Sequence, residues 1–373
     1  MSRMMKKLLL IIVIIYSGAS FCYALETDTH ENFNEYIARN TLNSFSLDAY
    51  VKERLGVQGG IEEKFNAHEL WWWLRKGGEY EDKPYWWMPY LRSVNHFHNP
   101  LTDEGFSGIW GSGSLSGVSS IQWSQWPLGA QTIQVLGSGN YSWYDSRDYF
   151  YKALTNTNKA SRDNYYAEMF RGLGQLMHLV EDLSVPEHTR DDGHYFFYNY
   201  EKWVKETIKT IADISQYTPI YFDSSAIGNP NPLASIPVAN LFDTNQYNNP
   251  NPDPNVTTNL VIDPNGNLLS NIGLSEYTNA NFLSPDSYFT SAFPYPNLGS
   301  VVEYDETIDG KKRTYLRKLG QGETDGGQVG NGDHIEHLAL GGWLYKFLPG
   351  DLKKQALRPV YSEKYNIQWR RND

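Results

Sequence analysis

Cysteine occurs once among the 373 residues, at Cys22, and the segment around it reads as one that is removed. Arg3, Lys6 and Lys7 precede an apolar run from Leu8 to Tyr16 that ends in small residues, the composition of an export signal. The run is too short to span a bilayer. Ala24 offers a small residue at a cleavage position, which makes residues 1–24 a signal peptide and Leu25 the mature N-terminus. A lipid anchor on Cys22 is the rival reading, and the bulky Phe21 before it fits that poorly. A secreted or periplasmic protein is implied, with a mature chain that contains no cysteine. Such a chain has no disulfides to draw on, so packing or a bound metal has to hold it together.

Residues 25–373 are long enough for one large core, and an aromatic content of 15% supplies it. The formal net charge of -11 opposes broad attraction to nucleic-acid backbones, which requires Lys and Arg to displace condensed counterions, so no stable nucleic-acid partner is expected. A local phosphate site built on metal stays open. The periodicity predicts an all-α domain with long irregular surface loops. Phe33, Ile37 and Leu42 predict a helix over His30–Leu42, capped by Asp28 or Thr29. A second is expected over Glu62–Arg75, stopped by Gly77-Gly78. Ser107–Asn140 is rich in Gly and Ser and reads as irregular. Leu173, Leu176, Met177 and Val180 stripe a long helix over Ser161–Leu183 that Pro186 closes. Further helices are expected over Tyr200–Ile214 and His334–Phe347, a loop-rich insertion at about 222–265, and a flexible glycine-rich loop over Gly320–Gly332.

The most informative stretch is His178-Leu-Val-Glu-Asp182-Leu-Ser-Val-Pro186-Glu-His188. His178 and Asp182 are four apart on the long helix and share one face, and Pro186 turns the chain so that His188 can return toward them. Imidazole and carboxylate are what zinc takes where thiolates are absent. A histidine and an aspartate at this spacing also form ordinary surface pairs, and other residues raise the odds of a metal: His30 near the mature N-terminus, His96 in Asn95-His-Phe-His-Asn-Pro100, and His194, with Glu79, Glu81, Asp82 and Glu201 in attendance.

In order and spacing these short motifs, spread over about residues 25–204, resemble the bacterial zinc-dependent phospholipase C family and the related single-strand-specific nucleases. The resemblance implies a multi-helix bundle that binds three zinc ions and hydrolyses phosphodiesters. One ion would be held by His96, His178, Asp182 and an early acid, one by Leu25 and His30 with Asp182 bridging, and one by His188, His194 and Glu201. The early acid maps onto Glu79, with Glu81 and Asp82 competing for the position, and whichever is not a ligand is a candidate to orient the attacking water. Arg190, Asp191 and Asp192 are candidates to fix the imidazoles from behind.

The substrate expected from the closer motif match is a phospholipid, with peripheral membrane contact through Trp71-Trp72-Trp73 and Trp86-Trp87 as one use of those rings and packing as the commoner one. A nuclease or nucleotidase with the same metal site is one alternative, and a metal-stabilised binding protein without turnover is another. His334, Glu336 and His337 read as a cap or surface cluster, and His68 and His98 as structural or exposed. The segment Glu276–Phe282 resembles uncharacterised relatives of these enzymes and carries no role.

Overall fold

The computed structural model describes residues 27–42, 45–83, 92–108, 113, 115–135, 138–193, 204–205, 210, 214, 239–244, 273–281, 301–308, 311–318, 324–325, 328–329, 337–341 and 357–361. They are mostly helical. Leu25, His194, Glu201, Trp86, Trp87 and all of the expected 222–265 insertion except 239–244 lie outside them. Of the helix expected over Tyr200–Ile214, four residues are described: Val204, Lys205 and Ile214 are helical, and Thr210 is a bend.

The helices are α1 (Thr27–Arg39), α2 (Leu47–Arg54), α3 (Leu70–Asp82), α4 (Ser120–Ser124), α5 (Ala130–Gln134), α6 (Trp143–Thr155), α7 (Lys159–Asp182), α8 (Ala239–Phe242) and α9 (Leu274–Asn281). Helix α1 begins earlier than the spacing predicts and places Asp28 in its first turn, where a carboxylate complements the helix dipole. It ends where Asn40 bonds back to the Tyr36 carbonyl with both its backbone N–H and its side chain, and is followed by the antiparallel pair β1 (Thr41–Leu42) and β2 (Phe45–Ser46). Asn158 starts α7 by accepting the Ser161 N–H at 3.0 Å. After Asp182 the chain turns through Leu183–Val185 into a 3-10 turn, Pro186–Thr189, which carries His188. Pro186 sits at the start of that turn, where its missing N–H costs nothing.

Helix α3 departs from expectation. It does not cover Glu62–Arg75; a 3-10 turn at Gly60–Glu62 and a small hairpin, β3 (Lys64–Phe65) with β4 (His68–Glu69), precede it, and it runs through Gly77-Gly78 to Asp82. The glycines permit a crossing instead of stopping a helix. A Cβ on Gly77 would lie 2.3 Å from the Arg171 carbonyl oxygen, one on Gly174 2.1 Å from the Leu74 carbonyl oxygen, and one on Gly78 2.8 Å from Asn34 Nδ2. Without side chains there, α3 packs against α7 at backbone distance and against α1 beside it. Asn34 then reaches from α1 to both, donating to the carbonyls of Leu74 at 3.0 Å and Gly174 at 3.1 Å.

Around this crossing lies one apolar cluster that includes Val51, Ile61, Leu70, Leu74 and Phe170, and a second formed by Trp123, Leu176, Leu179, Leu183 and Phe242. Each fully buried side chain of this size contributes about 1.5–3 kcal/mol. The tryptophan triplet divides by helix phase. Trp73 is buried and donates to the Phe65 carbonyl at 2.8 Å, while half-buried Trp71 carries the Arg39 guanidinium over its ring and half-buried Trp72 stacks on His68.

The described residues of Ser107–Asn140 are irregular apart from α4 and α5. Toward the C-terminus a four-stranded antiparallel sheet pairs β5 (Val301–Ile308), β6 (Lys311–Lys318), β9 (His337–Gly341) and β10 (Leu357–Tyr361) in the order β10-β9-β6-β5. This corrects the expected His334–Phe347 helix. His337–Gly341 pairs with β10 on one side and with Tyr315–Arg317 on the other, and pairing on both edges overrides a weak local helix preference that ends in glycine. Within Gly320–Gly332, β7 (Thr324–Asp325) and β8 (Gln328–Val329) form a short hairpin instead of a featureless loop. No helix among the described residues is long and apolar enough to cross a membrane.

A Gly174→Ala substitution forces a methyl into the Leu74 carbonyl and should cost about 1–3 kcal/mol, as overpacking does. The melting temperature is expected to fall by several degrees; an unchanged melt would contradict the close crossing.

Candidate metal centre

Because α1, α3 and α7 meet at glycines, the side chains just beyond the crossing converge. His30 of α1, Asp82 at the end of α3, His178 and Asp182 of α7, and His96 after a 3-10 turn at Ser93–Asn95 are all buried to 1% exposure or less. Asp182 is the hub. Its Oδ1 lies 3.1 Å from His30 Nε2, and its Oδ2 lies 2.7 Å from His96 Nδ1 and 3.2 Å from His178 Nε2. Asp82 Oδ1 is 3.7 Å from His178 Nε2 and 3.8 Å from His96 Nδ1. The His30 and His178 rings stack with centroids 3.5 Å apart. Two sets of donors, His30 with Asp82 and His178, and His96 with His178 and Asp182, each have their ligand atoms within 4.8 Å of one another and can hold a metal ion.

Backbone and buried side chains fix the orientation of these rings. The Gly78 carbonyl accepts from His178 Nδ1 at 2.7 Å, so His178 turns Nε2 inward. The His96 carbonyl accepts from His188 Nδ1 at 3.2 Å, and the His188 carbonyl accepts the His98 N–H at 2.9 Å, which zips the two segments together. Phe97 stacks on the His188 ring with centroids 4.2 Å apart. His188 stands at the edge of the cluster, its Nδ1 4.0 Å from Asp182 Oδ2.

The early acid is corrected from Glu79 to Asp82: of the three competing acids, Asp82 enters the cluster. Glu81 sits behind it: Oε2 accepts from Arg92 Nη2 at 2.7 Å, Oε1 accepts from the Trp123 indole at 2.8 Å, and Oε1 faces His96 Nε2 at 3.5 Å. Glu79 points away to Lys76. Leu25, His194 and Glu201 lie outside the described residues. Arg190 donates to the Asn279 carbonyl and Asp191 accepts the Ser107 N–H, so both brace neighbouring chain segments. Glu181, which sequence reasoning passed over, accepts from His30 Nδ1 at 2.6 Å. Arg92 and Trp123 were equally silent in the sequence, since neither belongs to a motif.

His98 is structural and buried. Its Nδ1 meets Ser119 Oγ at 2.8 Å and its Nε2 meets Asp243 Oδ2 at 2.6 Å. Together with Asp103 these residues form a third donor group, but both imidazole nitrogens are already spent on protein partners. The pair brings 239–244 onto the site, and Asn279 of α9 joins it there by donating to the Thr189 carbonyl at 2.6 Å. This gives the described part of the Glu276–Phe282 segment, which ends at Asn281, a place in the fold.

The electrostatics of the cluster are those of a cation site. Neither oxygen of Asp82 accepts a hydrogen bond, and those of Asp182 face only imidazole nitrogens, although both residues are buried. Leaving such atoms unpaired costs about 1–3 kcal/mol each, more when charged, unless a cation or proton compensates. Burial alone would push the imidazoles of His30 and His96 down; the carboxylates of Asp182 and Glu181 overcome this and raise His30 to about 10, and Asp182, Glu81 and Asp82 raise His96 to about 9. Burial opposes ionisation of Asp182 as well, yet His178, His96 and His30 hold it well below the usual carboxylate range. For Asp82 burial prevails and its pKa is raised. Glu81 is buried too, but Arg92 and His96 bring it down to about 2. Metal ions compete for the same sites as these protons.

Compared with models of known protein families, with curated proteins and with solved structures, the chain matches none.

A pH dependence follows for chelator-treated protein. His30 and His96 bind protons more tightly folded than unfolded, so their contribution is complete below 6.5 and is lost as pH rises through about 9 to 10. Glu81 works the other way: its contribution is complete above 4.5 and is lost as pH falls toward about 2. Chemical denaturation in a chelator should therefore show greater stability near pH 6 than near pH 9, and a flat profile across that interval would contradict the assigned shifts.

Proposed function

We propose that this chain is a zinc-dependent phosphodiester hydrolase of the phospholipase C kind, its helices forming a bundle like that family's. The observation that carries the reading is the buried group of Asp82 and Asp182, carboxylates that accept no hydrogen bond from any group other than imidazole, ringed by the imidazoles of His30, His96 and His178. Nitrogen and carboxylate donors without thiolate suit zinc, and an aspartate whose two oxygens face different imidazoles is arranged to bridge two ions. Ions held there supply Lewis acidity toward phosphoryl oxygens and lower the pKa of water.

The chain's own residues divide the remaining tasks. His96, His178 and Asp182 form one donor set, His30, Asp82 and His178 another, and the second oxygen of Asp182 faces His30. Glu79 is paired with Lys76, and both oxygens of Glu81 are engaged by Arg92 and Trp123, so neither is free to handle a proton of the attacking water. Asp82 is the acid that remains in reach, as ligand or as the group that orients that water. Glu81 instead supports His96 from behind. The acidic balance and the motif resemblance favour a phospholipid over a nucleic acid as substrate. Trp71 and Trp72 are engaged within the chain, so no membrane contact is assigned to them.

Metal analysis of the mature protein, with parallel assays on phosphatidylcholine vesicles and on single-stranded DNA, tests the proposal. Bound zinc with hydrolysis of phosphatidylcholine that a chelator abolishes is expected. Cleavage of DNA alone would favour the nuclease reading, bound zinc with no hydrolysis of either substrate a binding protein, and a stoichiometry of zero would end the metal reading. Asp182→Asn should lower turnover by on the order of 100-fold or more, because several kcal/mol of transition-state stabilisation depends on the ions it holds. Activity near wild type in that variant would count against a bridging aspartate.

A further inference from the structure

Glu181 and Asp182 are consecutive on α7, yet both reach the same imidazole from α1. Glu181 Oε2 is 2.6 Å from His30 Nδ1, and Asp182 Oδ1 is 3.1 Å from His30 Nε2. With an ion on one nitrogen the imidazole is neutral and carries a single N–H, so only one of the two contacts can then be a hydrogen bond donated by the ring. The shorter contact is the bonded one: His30 Nδ1 is hydrogen-bonded to Glu181, whereas His30 Nε2 has no hydrogen-bond partner. The plane of the ring is set independently, by stacking on His178 at 3.5 Å. Rotation within that plane is left to the Glu181 contact, and reversing the ring would forfeit it.

We propose that Glu181 is a positioning residue for the metal centre: it holds the His30 imidazole with its proton on Nδ1, so that Nε2 faces the donors of Asp82, His178 and Asp182. The inference rests on the metal-centre reading above. Glu181 is not itself a donor to the cluster; its side chain is 14% exposed where His30 is fully buried, and it meets the ring on the side away from Asp182. A carboxylate behind a ligating imidazole fixes the tautomer and makes the inward nitrogen a stronger donor. His178 receives the same service from the Gly78 carbonyl, but His30 has only this side chain.

The test is a zinc titration of metal-free mature protein against a competing chelator, for the wild type, Glu181→Gln and Glu181→Ala. In Glu181→Gln the amide oxygen still accepts the Nδ1 proton, whereas Glu181→Ala leaves nothing to hold it. Glu181→Ala should weaken one ion about 10- to 100-fold and leave the others unchanged, with Glu181→Gln losing less. In the zinc-loaded wild type, 15N NMR should show His30 Nδ1 protonated and Nε2 as the metal-bound nitrogen. Wild-type affinity for every ion in Glu181→Ala, an equal loss across all ions that Glu181→Gln does not relieve, or the opposite tautomer would each overturn the assignment while the metal centre stood. A wild-type protein that binds no ion would overturn the metal-centre reading, and the assignment with it.

Discussion

The cluster at the centre of this protein depends on three helices approaching one another more closely than side chains allow. Gly77 and Gly78 on α3, with Gly174 on α7, remove the atoms that would keep the backbones apart. Asn34 spans the gap that remains by donating to a carbonyl on each side. Interhelical distance is therefore set by peptide groups, which are rigid, and not by side chains that can repack. His30 and His178 can stack at 3.5 Å because their helices are held that close.

Gathering so many ionisable groups in one dry place is unfavourable unless their charges are arranged to cancel. Asp182 meets three imidazoles, Glu81 is neutralised by Arg92, and Asp82, which has less compensation, is the acid whose pKa rises. Breaking one partner of a buried pair typically costs 3–5 kcal/mol because the other charge is left stranded. An arrangement this expensive contributes little to stability when compared with a well-packed apolar core.

Local patterns in the sequence were legible where chemistry and structure share one segment. The four-residue step from His178 to Asp182 and the turn at Pro186 both follow from helix geometry and proline's missing N–H. What could not be read locally was helix phase across the glycine pair. Read as a stop, Gly77-Gly78 detached Glu79, Glu81 and Asp82 from any periodicity and left them in competition; read as a crossing, it puts Glu81 and Asp82 on the buried face and Glu79 off it, and only the distant partners of Glu81, Arg92 and Trp123, then leave Asp82 to the cluster. Glu181 was hidden for another reason. Neighbouring residues on a helix ordinarily face different ways, and only a ring inserted from α1 lets both Glu181 and Asp182 touch it. The C-terminal strands were missed because their partners are distant in sequence, and pairing on two edges outweighs local propensity.

The donors of the cluster come from positions 30, 82, 96, 178 and 182, and the contact between His30 and Glu181 spans 151 residues. An unfolded chain thus offers no preformed chelate beyond the His178–Asp182 step; every other ligand pair has to wait for chain closure over long loops, the slow and entropically costly part of folding. The five donors can surround an ion only after these loops have closed, so on the proposed reading metal capture follows folding and does not nucleate it.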